Sequence, residues 1–405
     1  MNLGEGAAAP RQTTASGVPV ARLGRADRSA IGRWFWTVDR PLLLMILVLI
    51  GCGLVAVLAA SPAASYRYSG GSHQVGELHY FKRQLFWAFM GLAVMIPTSM
   101  LSRDWARRAA LAGAVLFSVL LAMTPLIGSS ANGATRWIGV GAFALQPSEF
   151  LKPCLIVTTA WLLALRFEDR NLPTMQVSAA LMALICLLLV QQPDYGQTAL
   201  FGAVWIAQAM LAGLSLPMLA VVIVVAVVGA GVAYLSVDHF ASRIDRFFTG
   251  TGDTYQIDKA LEAFRHGGLF GTGPGEGRVK LQLPEPHTDY IFAVIGEEFG
   301  AIACIAIAAL ILGIVARVLL RLVEEEDPFL FLATAGLVAQ FALQSFINMG
   351  VSLSLLPAKG MTLPFVSHGG SSMVALSFGM GLLLAFTRRN EYLKKSPYLN
   401  RWTVS

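Results

Sequence analysis

Charge is scarce in this sequence: Asp, Glu, Lys and Arg make up 13% of its 405 residues, about half the share of an average soluble domain. Hydrophobic residues supply 56% and come in long runs, which excludes an ordinary water-soluble globular domain. Cysteine is scarcer still. Cys52, Cys154, Cys186 and Cys304 all lie inside apolar runs with no Cys-x-x-Cys pair, so neither a disulfide nor a zinc site is expected. No strand-to-helix loop ends in Gly-Lys-Ser/Thr, so no nucleotide cofactor is expected either. The net charge of +6 is spread over short segments between apolar runs rather than gathered in one stripe, which speaks against nucleic acid and for membrane topology. Internal repeats and inverted halves of the transporter kind are also missing.

What is present is a series of apolar runs. Residues 1–32, rich in Ala, Gly and Arg, are expected to be a disordered tail. They lack the apolar stretch of a signal peptide, so the run from Pro41 to Ala60 is expected as a retained helix. Further spans are predicted at 85–101, 109–127, 149–165, 174–190, 198–213, 216–235, 290–316, 329–350 and 369–387, each near the ~20 residues that cross a bilayer. The fold class is therefore an all-α polytopic membrane protein of ten spans, with residues 33–390 as one transmembrane domain and 391–405 as a C-terminal tail. An even number puts both termini on one side, and 18 of the 30 Lys and Arg fall on that side, which makes it cytoplasmic. The segment 236–289 becomes a large extracytoplasmic loop with no obvious elements of its own, a lid or binding surface.

The chemically interesting segments all fall on the external side. Gly133-Ala134-Thr135-Arg136-Trp137 precedes Gln146-Pro147-Ser148-Glu149-Phe150-Leu151-Lys152-Pro153, whose Pro-Ser pair starts a helix and sets Glu149 and Lys152 three residues apart on one face. Lys152 either pairs with Glu149 and snorkels, or faces a cavity and meets an acid from another helix. Gln191 to Thr198 is a turn in which Asp194 and Gln197 could touch a polar headgroup. The long loop carries Arg243 and the alternating glycines of 267–277, a possible backbone cradle without the context of a nucleotide loop.

His287-Thr288-Asp289-Tyr290 leads into the eighth span, where Glu297 and Glu298 sit in apolar surroundings. Thr288 or Asp289 can be a plain helix N-cap, or Asp289 can be a reactive acid. At 100° per residue the two glutamates lie about 80° and 180° around the helix from Asp289, so they are expected to pair inside the bundle rather than join it. Finally, Leu356 to Ser372 combines two prolines, three glycines and several hydroxyls with Lys359, Ser367, His368, Ser371 and Ser372. Irregular backbone of this kind at membrane depth is expected to form a cavity wall.

Together, His287-Thr288-Asp289-Tyr290-Ile291-Phe292, Gly296-Glu297-Glu298-Phe299-Gly300, Pro147-Ser148-Glu149-Phe150 with Lys152, and Pro364-Phe365-Val366-Ser367-His368-Gly369-Gly370-Ser371-Ser372 resemble the SEDS family (shape, elongation, division and sporulation) over about residues 40–390. Lys359-Gly360-Met361-Thr362-Leu363-Pro364 and Gly296 look more like its division branch than its elongation branch. The resemblance implies a peptidoglycan glycosyltransferase that polymerises lipid II, the undecaprenyl-pyrophosphate-linked disaccharide peptide, at the outer face of the bacterial inner membrane. It implies a class B penicillin-binding protein and other divisome proteins as partners, and placement at the division septum. Asp289 takes the place of the family's catalytic aspartate and Lys152 that of its paired lysine. His368 stands where the family usually has tyrosine, and the loop around Asp258, Arg265 and Glu276 is atypical.

Such chemistry needs a base near the acceptor hydroxyl and cations near a pyrophosphate leaving group. Asp289 is the expected base, alone or through a divalent metal, Mg or Mn. Arg136, Lys152, Arg243 and Lys359 are the expected phosphate contacts, with Glu149, Asp194, Gln197, His287, Ser367, His368, Ser371 and Ser372 as further substrate-binding candidates. A lipid II flippase and a non-catalytic divisome scaffold are the alternatives.

Overall fold

The computed structural model describes residues 29–69, 75–131, 134–139, 144–249, 255–357 and 360–388. The C-terminal tail and most of the N-terminal one lie outside these. A short unit of the described residues before Asp39 holds α1 (Ala30–Thr37), which begins inside the stretch expected to be disordered because Ser29 caps it by accepting from Gly32 N at 3.0 Å.

The second unit, Asp39–Arg388, is a bundle. All ten predicted spans are helices: α2 (Arg40–Tyr68), α3 (His79–Met100), α4 (Arg103–Ile127), α5 (Pro147–Glu168), α6 (Thr174–Gln191), α7 (Tyr195–Leu211), α8 (Leu216–Ser236), α11 (Ile291–Leu322), α12 (Pro328–Ser352) and α13 (Gly370–Phe386). Seven of them are long and apolar enough to cross a membrane unaided, whereas α7 and α13 have 17 residues each and α3 opens on the polar run His79–Gln84. The protein is a multi-pass membrane protein. Start signals work as sequence chemistry dictates: Asp39, Ser102 and Asp327 cap α2, α4 and α12, and Pro41, Pro147 and Pro328 occupy first turns. Asp39 also meets Arg317 and Arg321 at 3.1 and 3.0 Å, tying the start of α2 to the end of α11.

Helices α5, α12 and α13 form the core, with Leu151, Leu155, Leu163 and Phe341 buried. By contrast, no residue of α8 is buried within the chain. A hairpin of β1 (Ser129–Ala131) and β2 (Ala134–Trp137) follows α4 and carries Arg136.

Two expectations need correction. The segment 236–289 is not without structure: it holds α9 (Asp238–Thr249), α10 (Tyr255–Gly267) and a 3-10 turn at Val279–Leu281. Helix α10 packs Ala260, Ala263 and Gly267 inward while showing charge outside, and so polar a window is easily passed over in a search for apolar runs. The glycine run is also not an open cradle. Helix α11 breaks at Gly300 (φ 80°, ψ 177°), and the run after α10 supplies the backbone bonds that the break releases. Thr272 N and Gly273 N donate to the carbonyls of Glu297 and Glu298 at 2.9 and 3.1 Å. In return, Ala301 N and Ile302 N donate to those of Gly268 and Leu269 at 2.9 and 3.3 Å. The backbone groups released at the break are thereby satisfied within the protein. Only glycine allows this approach, since a Cβ at Gly271 (φ +83°) would lie 2.2 Å from the Glu298 carbonyl oxygen.

Candidate functional site

Asp289 stands two residues ahead of α11. The capping position falls to Tyr290, whose side chain makes no cap bond, so the simple capping role does not account for the aspartate's setting. Its backbone is held instead. Three successive carbonyls are gripped from the wall segment and α12: His287 O by His368 N at 2.8 Å, Thr288 O by Ser367 Oγ at 2.6 Å, and Asp289 O by Asn348 Nδ2 at 3.0 Å. Asn348 also donates to Met361 O at 2.6 Å, and Ser367 Oγ accepts from Leu363 N at 2.8 Å. The irregular segment thus braces the aspartate. Its carboxylate lies against Gly360, where a Cβ would come within 3.2 Å of Oδ2. Lys359, the residue before it, lies outside the described residues.

Lys152, buried on α5, finds its acid on its own helix: Nζ lies 2.9 and 2.8 Å from the two oxygens of Glu149. The expected pairing with Asp289 is replaced by this local pair and by a neutral cross-helix acceptor, Gln344 Oε1 on α12, at 3.0 Å. The three-residue spacing delivers the carboxylate to the lysine at no cost in chain entropy. Glu149 further accepts from Gln197 Nε2 at 2.7 Å, and Gln344 Nε2 donates to Thr362 O at 3.1 Å. Thr362 Oγ1 and Ser372 Oγ share a bond of 3.0 Å. A buried polar chain therefore runs from α7 through Lys152 to the wall segment, and Gln344 and Asn348, one turn apart on α12, link it to the Asp289 clamp.

Arg136 turns to the α6–α7 turn, donating from Nε to Gln192 O at 3.1 Å and from Nη2 to Pro193 O, with Asp194 Oδ1 3.9 Å away. Asp194 caps α7 through Gln197 N; burial raises its carboxyl above the usual range, which Arg136 opposes. Arg243 lies on α9, but its side chain is outside the described residues. Glu297 and Glu298 pair inside the bundle as expected. Glu297 accepts from Val279 N and Lys280 N, both at 2.8 Å, and Glu298 from the buried Lys280 ammonium.

His287 and His368 sit in an aromatic cluster with Tyr80, whose ring centroid is 4.2 Å from that of His287 and 5.6 Å from that of His368. Gln84 on α3 joins the cluster to the wall: Oε1 meets His368 Nδ1 at 3.0 Å, and Nε2 donates to Ser367 O at 3.3 Å. Burial, the largest cause, lowers His287 to about 4 and His368 to about 3; Arg83 pushes both in the same direction. His287 Nδ1 and Ser371 Oγ are buried without a hydrogen-bond partner. Sequence reasoning missed Gln84, Gln344 and Asn348. The signal was there for α12, where Gln340, Gln344 and Asn348 recur every four residues as a polar stripe in an apolar helix.

Ten helices around a braced, irregular segment, with Asp289 at the mouth of α11, define a membrane-embedded site. Residues 40–392 match the FtsW/RodA/SpoVE family, described as cell cycle proteins. The chain belongs to this family. It is 40% identical over 369 residues to a protein of Caulobacter vibrioides called probable peptidoglycan glycosyltransferase FtsW, covering 90% of this chain and 93% of that one. A protein of the same name from Geobacter metallireducens is 35% identical, covering 87% and 95%. The fold is shared with Thermus thermophilus RodA, at a TM-score of 0.63 and 23% identity over 86% of this chain and 96% of that one. A chain from a peptidoglycan synthase complex that coordinates polymerization and crosslinking superposes at a TM-score of 0.69, with 23% identity over 86% and 97%.

Proposed function

We propose that this chain is a peptidoglycan glycosyltransferase of the division type, which polymerises lipid II at the outer face of the inner membrane at the septum, together with a class B penicillin-binding protein and other divisome proteins. The observation that carries this reading is the clamp on three consecutive carbonyls ending at Asp289, because a base must be held within a few tenths of an ångström of its proton acceptor geometry to be effective. The names of the relatives from Caulobacter and Geobacter support it.

Asp289 takes or orients the proton of the acceptor sugar hydroxyl. The hydroxyl oxygen bonds to the anomeric carbon of the donor sugar as the bond from that carbon to the pyrophosphate breaks, and the leaving group departs with the electron pair. Lys152 acts through the network that fixes α5, α7 and α12. A divalent ion brought by the substrate would find the Asp289 carboxylate as its protein ligand. Among the described residues no group of three His, Cys, Asp or Glu is arranged to hold one. Asp289→Asn, purified in complex with its partner and given lipid II, is expected to yield no glycan strands on a gel; polymer at the wild-type rate would sink the assignment.

A further inference from the structure

Of the four cations expected at the pyrophosphate, the two whose side chains are described are engaged. Lys152 is neutralised by Glu149, and Arg136 is bound to the carbonyls of Gln192 and Pro193 and lies near Asp194. Arg83 on α3 differs. It is half-buried, and among the described residues it forms no ion pair and no hydrogen bond; its Nε is buried with no partner. A guanidinium is always charged and offers five donors, so leaving it unmatched in a partly enclosed place is costly.

Its place is set by its neighbours. Gln84, next in the chain, bonds both Ser367 O and His368 Nδ1, so this turn of α3 is docked on the wall that clamps Asp289. His287, two residues before Asp289, is 4% exposed and brings a second orphaned nitrogen, Nδ1, to the same cluster. Kept neutral by burial, His287 can donate from that nitrogen. Glu285, the acid of the same mouth, is committed to the hydroxyls of Tyr68 and Thr288 at 2.5 and 3.0 Å rather than to Arg83.

We propose that Arg83, aided by His287 Nδ1, is a binding site for the lipid-linked pyrophosphate, positioned beside Asp289 so that the charge of the leaving group meets a fork of donors. This rests on the glycosyltransferase reading for the identity of the ligand. A planar guanidinium can grip two phosphate oxygens at once.

The test is displacement of labelled undecaprenyl pyrophosphate from the full chain in nanodiscs, with undecaprenol as the uncharged control. Arg83→Gln is expected to weaken the pyrophosphate lipid about tenfold or more while leaving undecaprenol unchanged, and Arg83→Lys to fall between. Inorganic pyrophosphate, the same anion without its chain, is expected to compete on the wild type only at higher concentration and to compete less on Arg83→Gln. Equal binding of the pyrophosphate lipid to wild type and Arg83→Gln overturns the proposal, as does an equal loss of undecaprenol in a variant that melts as the wild type does, because recognition then does not depend on the charge of the leaving group. Asp289→Asn separates the two readings: it is expected to bind undecaprenyl pyrophosphate as the wild type does and to make no polymer. Polymer from that variant removes the catalytic assignment without altering what the Arg83 displacement curve decides.

Discussion

Asn348 holds the carbonyl of Asp289 at 3.0 Å with the same amide nitrogen that reaches Met361 O at 2.6 Å, so one side chain of α12 sets the aspartate against the wall. Asn348→Ala leaves two buried acceptors short of a donor, a loss of about 1–3 kcal/mol. Polymerisation on lipid II is expected to fall mainly in kcat, with substrate binding little changed, since the acid is displaced rather than removed. Unchanged kcat in a folded variant would show that the clamp is not needed.

Lys152 and Glu149 share a buried pair, 2% and 5% exposed. Lys152→Met strands the carboxylate, which is expected to cost about 3–5 kcal/mol, whereas pairing it with Glu149→Gln removes both charges and restores most of that stability. Melting of the single and double variants in detergent checks this. A double variant no more stable than the single would mean that the pair is not what the fold depends on.

Gly300 is where α11 turns back on the loop, and a Cβ there would lie 2.3 Å from Leu269 O at a φ of +80°. Gly300→Ala is expected to destabilise by about 2 kcal/mol or more through strain and clash. On the same helix Gly313→Ala, whose Cβ would meet only Met45 Sδ at 3.5 Å, is expected to be near neutral. Equal melting temperatures for the two variants would refute the account of the break.

The histidine pair sets a pH dependence. With His287 at about 4 and His368 at about 3 in the folded chain, and about 6.5 in the unfolded one, the unfolded chain binds more protons in between. Stability from these groups is complete above about pH 6.5 and falls as the pH drops toward 4 and then 3, by up to about 1.4 kcal/mol per unit per histidine. His368→Phe is expected to lessen the loss between pH 7 and 4.5. A wild-type melting temperature constant over that range would contradict the folded values.

How far the sequence could be read follows from these residues. Spans were legible because each apolar run is long, and Asp289 stood out because a carboxylate at the mouth of such a run is costly. Helix α10 was not legible, since its inward face is made of alanines and a glycine that carry little hydrophobic signal. The break at Gly300 was hidden in an apolar run where one glycine is unremarkable in composition; only the return of the 268–273 backbone reveals it. Lys152 could be placed on the Glu149 face by counting, but whether an acid or an amide faced it across the bundle depended on the rotation of α12. Gln344 and Asn348 escaped because neutral amides raise no charge alarm.

The bonds between 268–273 and the bend of α11 also unite two things that look separate, the shape of a membrane helix and the seating of an external loop. Neither can alter alone: straightening the helix evicts the loop, and lifting the loop strips four peptide groups of their partners within a bilayer. Loop and bend are therefore one mechanical unit, and Asp289, just ahead of that same helix, is seated by the loop as well as by the wall that clamps it.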